Sequence, residues 1–146
     1  MLVSPRIVLD TSVLAADLRS DRGASRLLLV HALEGRFAML VSVPLMIEYE
    51  AVLTRPEHLA AAGISHADVE GILDAIASVI EPVRLAYLWR PVLRDAQDDM
   101  VLETAVNGRA DLLVTLNRHH FEPATRSFSL RVVSPGEAVL ELRRRK

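Results

Sequence analysis

The fold is decided near the amino terminus by the stretch Ile7-Val8-Leu9-Asp10-Thr11-Ser12. Its three consecutive apolar residues are typical of a short strand that is buried on both faces in a parallel sheet. Ligands of open α/β sheets bind at the carboxyl ends of such strands, which is where Asp10 stands. Because Asp is also a common N-cap, the same residue could instead serve to begin the following helix. The stretch therefore predicts a buried strand and leaves two roles open for Asp10.

The rest of the chain alternates short apolar runs with longer stretches of helical periodicity, which is typical of a parallel sheet covered by helices. We therefore expect a three-layer α/β/α domain with a mostly parallel five-stranded sheet. No repeat, low-complexity tract or linker divides residues 1–146, so we expect a single domain. Further strands are predicted at Phe37–Val41, Val83–Leu88, Asp111–Thr115 and Phe128–Val133, and helices at about Asp21–Glu34, from Ser42 to before Pro56, and at His66–Ile80, Asp98–Asn107 and Pro135–Arg143.

Composition limits the classes of protein to which the chain can belong. A hydrophobic fraction of 51% in 146 residues supplies one sizeable core, and the absence of cysteine excludes disulfides and thiolate metal sites. The formal net charge of −2 lacks the basic excess of many nucleic-acid-binding proteins, although it does not exclude a local basic surface. No apolar run approaches the roughly 20 residues that span a bilayer, and the amino terminus does not resemble a signal peptide. We expect a soluble, cytoplasmic protein with no membrane partner.

Glu48 is predicted to lie on or beside the inward face of the helix that follows Ser42. The apolar residues Leu45, Tyr49 and Val52 define that face, and Glu48 is one turn away from both Leu45 and Val52. A carboxylate that faces inward is costly unless it is paired or coordinates a cation. Glu48 is therefore a candidate metal ligand, with a salt bridge to an arginine as the alternative.

A second group of acids, Asp95, Asp98 and Asp99, stands at the entry to the helix that ends near Asn107. One of them could be the N-cap, and the helix dipole would favour the others at this position. Three acids so close together also repel one another, and a divalent cation would relieve that repulsion. Glu103 shares a helix face with Asp99, so it is either a further ligand or an exposed side chain.

Thr115 and Asn117 follow the predicted fourth strand and should reach the same edge of the sheet as Asp10. The adjacent His119 and His120 suggest a transition-metal site. Neighbouring side chains rarely bind one ion, however, so surface or supporting roles are favoured for the two histidines. The sequence therefore predicts a polar site at this edge of the sheet.

In their order along the chain, these segments resemble the PIN domain, the nuclease fold of VapC-type toxins from toxin–antitoxin pairs. Each motif alone is weak, but the ordered set is fairly specific and covers nearly the whole chain. The resemblance implies a metal-dependent endoribonuclease that hydrolyses RNA phosphodiester bonds. The matching segments are residues 7–12, the helix that holds Glu48 up to Pro56, residues 94–99 and residues 110–117.

The resemblance also implies which residues would carry the chemistry. Asp10, Glu48 and Asp99 match the acidic metal-site positions of the family, and Asp98 matches an additional acid of its toxin subgroup. Asn117 stands where the family has a fourth acid or an Asn, and it would offer a carbonyl oxygen or orient water during catalysis. The residues expected to position the substrate are Thr11, Ser12, Thr115, Arg94 and Arg118.

The implied cofactor is Mg²⁺ or Mn²⁺, because hard divalent cations prefer carboxylate and water oxygens. Such a cation lowers the pKa of a bound water and neutralises charge on the phosphate in the transition state. Asp10 would be the central ligand, flanked by Glu48 and Asp99. The resemblance further implies a homodimer and a small antitoxin protein that blocks the site.

Two rival functions stay open at this point. Asn117 and His120 stand where many family members have acids, which favours a PIN-like module that binds metal or partners without cutting. A weaker rival is a phosphoryl-accepting α/β domain with Asp10 as the nucleophile. Phosphotransferases of the haloacid-dehalogenase type need an acid where Ser12 stands, and receiver domains need a lysine after a late strand, whereas Lys146 is the only lysine.

Overall fold

The computed structural model of the chain describes residues 4–20, 23–86, 96–128 and 130–144. In these ranges the strands are β1 (Arg6–Leu9), β2 (Ala38–Val41), β3 (Glu81–Pro82), β4 (Leu112–Val114) and β5 (Val132–Val133). They form one sheet in the order β3-β2-β1-β4-β5, and every pairing is parallel. The chain runs from β1 outward to β3 and then crosses to β4 on the other side of β1. The boundary between β1 and β4 is therefore the topological switch point of the sheet.

Helices cover both faces of this sheet. Within the described ranges they are α1 (Thr11–Arg19), α2 (Ala24–Leu33), α3 (Val43–Leu53), α4 (Pro56–Ala62), α5 (His66–Ala77), α6 (Ala96–Asn107), α7 (Glu122–Phe128) and α8 (Pro135–Arg144). Successive side chains of a strand point to opposite faces, and Ile7, Val8 and Leu9 are all fully buried. α6 packs on β1, β2 and β4, whereas α8 packs on β4 and α2. The predicted α/β/α arrangement is confirmed, with a sheet that is wholly rather than mostly parallel.

The third strand is shorter and earlier than the predicted Val83–Leu88. β3 has two residues, and the Val83 amide extends its pairing by donating to the Val41 carbonyl oxygen at 3.0 Å. Pro82 has no amide hydrogen, which suits it to a strand at the edge of a sheet and limits the ladder there. Residues 87 and 88 of the prediction lie outside the described part of the chain.

The fifth strand is also shorter than the predicted Phe128–Val133. Phe128 ends α7, residue 129 lies outside the described part, and among the residues described there Val132 and Val133 pair with β4. Pro123 sits in the first turn of α7, where its fixed φ and missing amide hydrogen are compatible with a helix. The apolar character of Phe128 therefore reflects packing at a helix end, not a place in the sheet.

Three helices of the described ranges, α1, α4 and α7, are absent from the sequence-based prediction. α1 begins directly after Asp10 with Thr11, Ser12 and Val13, which have modest helix propensity, so packing of its buried face has to stabilise it. α4 begins at Pro56, where the sequence predicts only that a helix stops. A proline that ends one helix can also occupy the first turn of the next, where its missing amide hydrogen is not needed.

The other helices lie close to their predicted positions. Ser42 is the N-cap of α3, and its Oγ accepts a hydrogen bond from the Leu45 amide at 3.3 Å. α2 begins at Ala24 rather than Asp21, and residues 21 and 22 lie outside the described part. In the ranges that the structure describes, no helix is both long enough and apolar enough to cross a membrane.

The turn between α6 and β4 requires glycine for space rather than for backbone conformation. α6 ends at Asn107, and the left-handed residue that follows is Arg109, with φ of 53°, not Gly108. A Cβ at Gly108 would lie 2.9 Å from the Thr104 carbonyl oxygen, 2.9 Å from Val83 Cγ2 and 3.0 Å from Leu40 Cδ1. The close approach of this turn to β2 and to the residue after β3 therefore excludes a side chain.

We expect Gly108→Ala to destabilise the protein by about 1–3 kcal/mol, because the added methyl group would displace backbone and core atoms. Urea denaturation monitored by circular dichroism measures the change. Gly71→Ala is the matched control, since nothing lies within 4 Å of a Cβ at that exposed helical position. The control should be neutral or stabilise by about 0.5–1 kcal/mol. Equal effects of the two substitutions would contradict the packing argument.

Asp17 is a buried acid on α1 with an exposed fraction of 1%. Arg26 of α2 places its Nε 2.8 Å from Asp17 Oδ1, but neither carboxylate oxygen has a well-aligned hydrogen bond among the described residues. Burial raises the pKa of Asp17 from 3.8 to about 6, although the charge of Arg26 opposes that shift. The ionised carboxylate is therefore a cost to the folded state at neutral pH.

The raised pKa predicts how Asp17 contributes to stability as the pH changes. Its contribution to the free energy of unfolding is fully present below pH 3.8 and is lost as the pH rises to about 6. The loss occurs in this range because only the folded state holds the proton there. Relative to wild type, Asp17→Asn should gain about 2–3 kcal/mol of unfolding free energy between pH 4 and pH 7. Urea titrations at both pH values measure this gain, with the exposed Asp74→Asn as control. A difference that does not change with pH would contradict the prediction.

Candidate active site

A cavity of about 180 Å³ lies at the carboxyl ends of β1 and β4, at the switch point of the sheet. This crevice is the usual ligand site of open α/β sheets. It combines carboxylates with hydroxyl, amide, imidazole and guanidinium groups, and two apolar side chains complete its wall. The lining residues are Asp10, Thr11, Ser12, Ala15, Glu48, Val52, Arg55, Asp98, Asn117 and His120.

The Asp10 carboxylate is held by two hydroxyl groups. Ser12 Oγ and Thr115 Oγ1 each donate a hydrogen bond to Asp10 Oδ2 at 2.7 Å. No residue in the described ranges donates a hydrogen bond to Oδ1. Asp10 also stands at the N-cap position of α1, but its side chain makes no capping hydrogen bond. The backbone of Asp10 therefore begins the helix, while its carboxylate belongs to the cavity.

The same two hydroxyl groups connect the segments that follow β1 and β4. The Leu116 amide donates to Ser12 Oγ at 3.2 Å, and the Asn117 amide donates to Thr115 Oγ1 at 3.0 Å. Each hydroxyl accepts a backbone hydrogen bond and gives its single hydrogen to Asp10. The position of the Asp10 carboxylate is thus set in part by Thr115, which is 105 positions away in the chain.

α3 brings Glu48 into the cavity wall, and Tyr49 fixes that helix to β1. The fully buried Tyr49 hydroxyl donates to the Leu9 carbonyl oxygen at 2.5 Å. Burial, and then the negative charge of Asp10, raises the pKa of Tyr49 well above its ordinary value, so the hydroxyl stays a donor. Glu48 is half-buried and lines the cavity together with Val52, on the side of the helix that the apolar periodicity indicates.

α6 places Asp98, not Asp99, in the cavity wall. The Asp98 side chain lines the cavity, whereas Asp99 is buried and is not among the lining residues. Consecutive helical residues differ by roughly 100°, so the two acids cannot share one face. Glu103 is completely buried and does not line the cavity, so the expectation of an exposed side chain is wrong for it. Asp95 lies outside the described residues.

Asn117 and His120 reach the cavity from the segment after β4. They are three residues apart across the single 3₁₀ turn Arg118–Phe121, and side chains at this spacing lie on one side of such a turn. His120 Nδ1 lies 3.3 Å from Asp98 Oδ2. His119 does not line the cavity; its ring meets that of His120 edge-on, with centroids 4.3 Å apart. The two histidines therefore do not face one site together.

The arginine in the cavity wall is Arg55, which the sequence analysis does not single out. Arg118, one of the two expected RNA contacts, does not line the cavity and instead pairs with Glu137 at the surface. Arg94, the other, lies outside the described residues. Helical periodicity gives no signal for Arg55, because α3 ends at Leu53 and Arg55 is the extended N-cap residue of α4.

The donor atoms of the cavity suit a hard divalent cation. Carboxylate oxygens of Asp10, Glu48 and Asp98 and the amide oxygen of Asn117 are ligands that Mg²⁺ accepts. Among the described residues, no three acidic or histidine side chains converge closely enough to form a ready-made metal site. Mg²⁺ usually retains several waters and binds through one or two carboxylates, and the cavity has room for such waters. The residues therefore fit a hydrated Mg²⁺ or Mn²⁺.

Two solved structures share the fold of this chain at low sequence identity. VapBC2 from Rickettsia felis bound to a DNA fragment from its promoter matches with a TM-score of 0.61 and 13% identity, over 88% of this chain and 98% of the other. FitAcB from Neisseria gonorrhoeae matches with a TM-score of 0.59 and 21% identity, over 89% of this chain and 98% of the other. At these identities the likeness shows the fold alone. No curated protein matches the sequence.

A protein-family comparison identifies the family directly. The family model described as the PIN domain matches residues 6–119, which is most of the chain. The matched range includes Asp10, Glu48, Asp98 and Asn117 and ends one residue before His120. PIN domains are generally nucleases that use divalent metal ions. The chain belongs to the PIN domain family.

Proposed function

We propose that this protein is a metal-dependent endoribonuclease that hydrolyses RNA phosphodiester bonds and acts as the toxin of a toxin–antitoxin pair. The observation that carries the proposal is the Asp10 carboxylate, which two hydroxyl groups hold in a cavity that Glu48 and Asp98 also line. Membership of a family of nucleases supports the reaction class. The fold shared with VapBC2 and FitAcB supports the toxin role.

Asp10, Glu48 and Asp98 would hold the cation, with Asn117 as a neutral oxygen donor or a residue that orients water. A bound Mg²⁺ or Mn²⁺ would activate a water molecule and neutralise charge on the phosphate. Within the proposal, Asp98 replaces Asp99 as the α6 residue nearest the metal, because only Asp98 lines the cavity. Asp99 keeps a supporting role next to it on the helix.

The hydroxyl groups of the cavity would position the substrate and the central carboxylate. Ser12 and Thr115 orient Asp10, because both donate to its Oδ2 and leave Oδ1 to face another ligand. Thr11 lines the same cavity, and its buried Oγ1 has no hydrogen-bond partner among the described residues. In the proposal Thr11 positions the substrate, for which its hydroxyl has to become accessible when the substrate binds.

The proposed partners are a small antitoxin and a second copy of this chain, and the proposed location is the cytoplasm. The solved neighbours VapBC2 and FitAcB support the antitoxin. α3 supports a protein contact, because Val43 and Ile47 are 73% and 62% exposed and lie one turn apart on the same face.

The alternative is a PIN-like module that binds metal or a partner without cutting RNA. Asn117 and His120 favour it, since both line the cavity at positions where the family resemblance leads us to expect acids. The retained carboxylates Asp10, Glu48 and Asp98 oppose it.

Cleavage of a mixed-sequence single-stranded RNA in Mg²⁺ or Mn²⁺ tests the proposal. Wild type, purified free of any antitoxin, should cut the RNA only when metal is present. Asp10→Asn should reduce the rate by about 100-fold or more, because it removes the charge of the central carboxylate. Asp74→Asn, the same change at an exposed position on α5, should leave the rate unchanged. Gel analysis of end-labelled RNA measures all three.

Two outcomes of that experiment would contradict the nuclease. Metal binding by wild type without any cutting would favour the non-cutting module. Cutting that survives in Asp10→Asn would show that the activity belongs to another site or to a contaminant.

Binding of Mn²⁺, measured by calorimetry, tests which acid of α6 serves the metal. Asp98→Asn should weaken Mn²⁺ binding about 10-fold or more, because Asp98 lines the cavity. Asp99→Asn should change Mn²⁺ affinity less and lower the melting temperature more, because Asp99 is buried away from the cavity wall. If Asp99→Asn weakened Mn²⁺ binding more than Asp98→Asn, Asp99 rather than Asp98 would be the metal ligand of α6.

A further inference from the structure

Arg55 stands at the corner between α3 and α4 with a fixed backbone and an exposed side chain. It occupies the N-cap position of α4 in an extended conformation, with φ of −61° and ψ of 137°. Its carbonyl oxygen accepts hydrogen bonds from the His58 and Leu59 amides, both at 3.0 Å. The corner therefore holds the Arg55 backbone in place while the side chain is free to meet a ligand.

The guanidinium of Arg55 is not engaged by the described part of the protein. Other arginines there contact a partner with the guanidinium, such as Arg26 with Asp17, Arg118 with Glu137 and Arg131 with Glu141. Arg55 has no side-chain hydrogen bond or ion pair with any described residue. Arg84 shares that property and is also exposed, but it does not line the cavity. Arg55 thus combines an unengaged charge with a place in the cavity wall.

The negative charge of the cavity is the reason why the position of Arg55 matters for binding RNA. Asp10, Glu48 and Asp98 line the same cavity, and their carboxylates would repel an approaching phosphodiester. A cation bound by those acids relieves the repulsion at the metal, but the rest of the nucleic-acid backbone needs a positive group of its own. The planar guanidinium fork suits this need, because it can donate two parallel hydrogen bonds to one phosphate.

We propose that Arg55 binds a backbone phosphate of a single-stranded RNA and thereby holds the strand in the cavity. The inference rests on the proposed RNA-cleaving function and adds a substrate-binding residue to it. Arg55 takes the role that the sequence analysis assigns to Arg94 and Arg118.

Fluorescence anisotropy of a labelled single-stranded RNA tests this contact. The parent protein is Asp10→Asn with Mg²⁺ present, so that the RNA is bound but not cut. In that background Arg55→Ala should weaken RNA binding about 5- to 10-fold. The slope of log affinity against log salt concentration is negative, and its magnitude should fall by about 0.7, the value for one phosphate contact on a single strand. Arg84→Ala removes the same charge from an equally exposed position and is the matched control. It should change neither quantity.

Arg55→Lys separates a phosphate contact from a structural role. It keeps the positive charge, so the salt slope should return to the parent value, while the affinity should recover only in part because the two-pronged donor is lost. Melting temperatures of all variants should agree, since Arg55 has no described side-chain contact to lose. A variant that merely disturbed the α3–α4 corner would not shift the salt slope in this charge-dependent way.

Two results would overturn the inference, and they are distinguishable. If Arg55→Ala and Arg84→Ala have equal affinities and slopes while the parent binds RNA, Arg55 is not a phosphate contact and the proposed nuclease stands. If wild type neither cuts nor binds RNA and the parent does not bind it either, the proposed function fails and the Arg55 inference fails with it.

Discussion

The cavity depends on the parallel pairing of β1 with β4, because that pairing sets Asp10 beside Thr115. Ile7, Val8 and Leu9 pair residue by residue with Leu112, Leu113 and Val114, and the Asp10 amide continues the ladder by donating to the Val114 carbonyl oxygen at 2.9 Å. The next side chain on each strand is then polar, and the two meet at 2.7 Å. A slip of one residue would turn every side chain of the strand to the other face. The core packing of both strands therefore also sets the geometry of the site.

A partly satisfied carboxylate in this position indicates a ligand. Asp10 is only 6% exposed, and its contacts in the described part are two neutral hydroxyl groups on one oxygen. Burying a charge without a countercharge is costly. In the proposed function, a divalent cation would supply that countercharge.

The sequence predicts the strands and helix faces that follow from hydrophobic periodicity. It does not predict site residues whose place depends on how a helix is oriented against the sheet. β1 and β4 are predicted because both are continuous apolar runs, and Glu48 because one helix face places it near the core. The choice between Asp98 and Asp99 depends on how α6 is rotated against the sheet, which neighbouring acids in a sequence cannot reveal. Arg55 is missed for a similar reason. Pro56 predicts only the end of α3, so the sequence does not indicate the short α4 that positions the Arg55 backbone.

The charges of the lining residues limit how many cations the proposed active site can hold. Asp10, Glu48 and Asp98 supply three negative charges, and Asn117, where the family often has an acid, supplies none. Among the formal charges of these lining residues, Arg55 offsets one carboxylate, and one divalent cation would offset the other two. A second divalent cation would have to be offset by the phosphate groups of the RNA, because the lining holds no further acid. Within the proposal, the positive charge that meets the RNA phosphate would come from the bound metal and from Arg55.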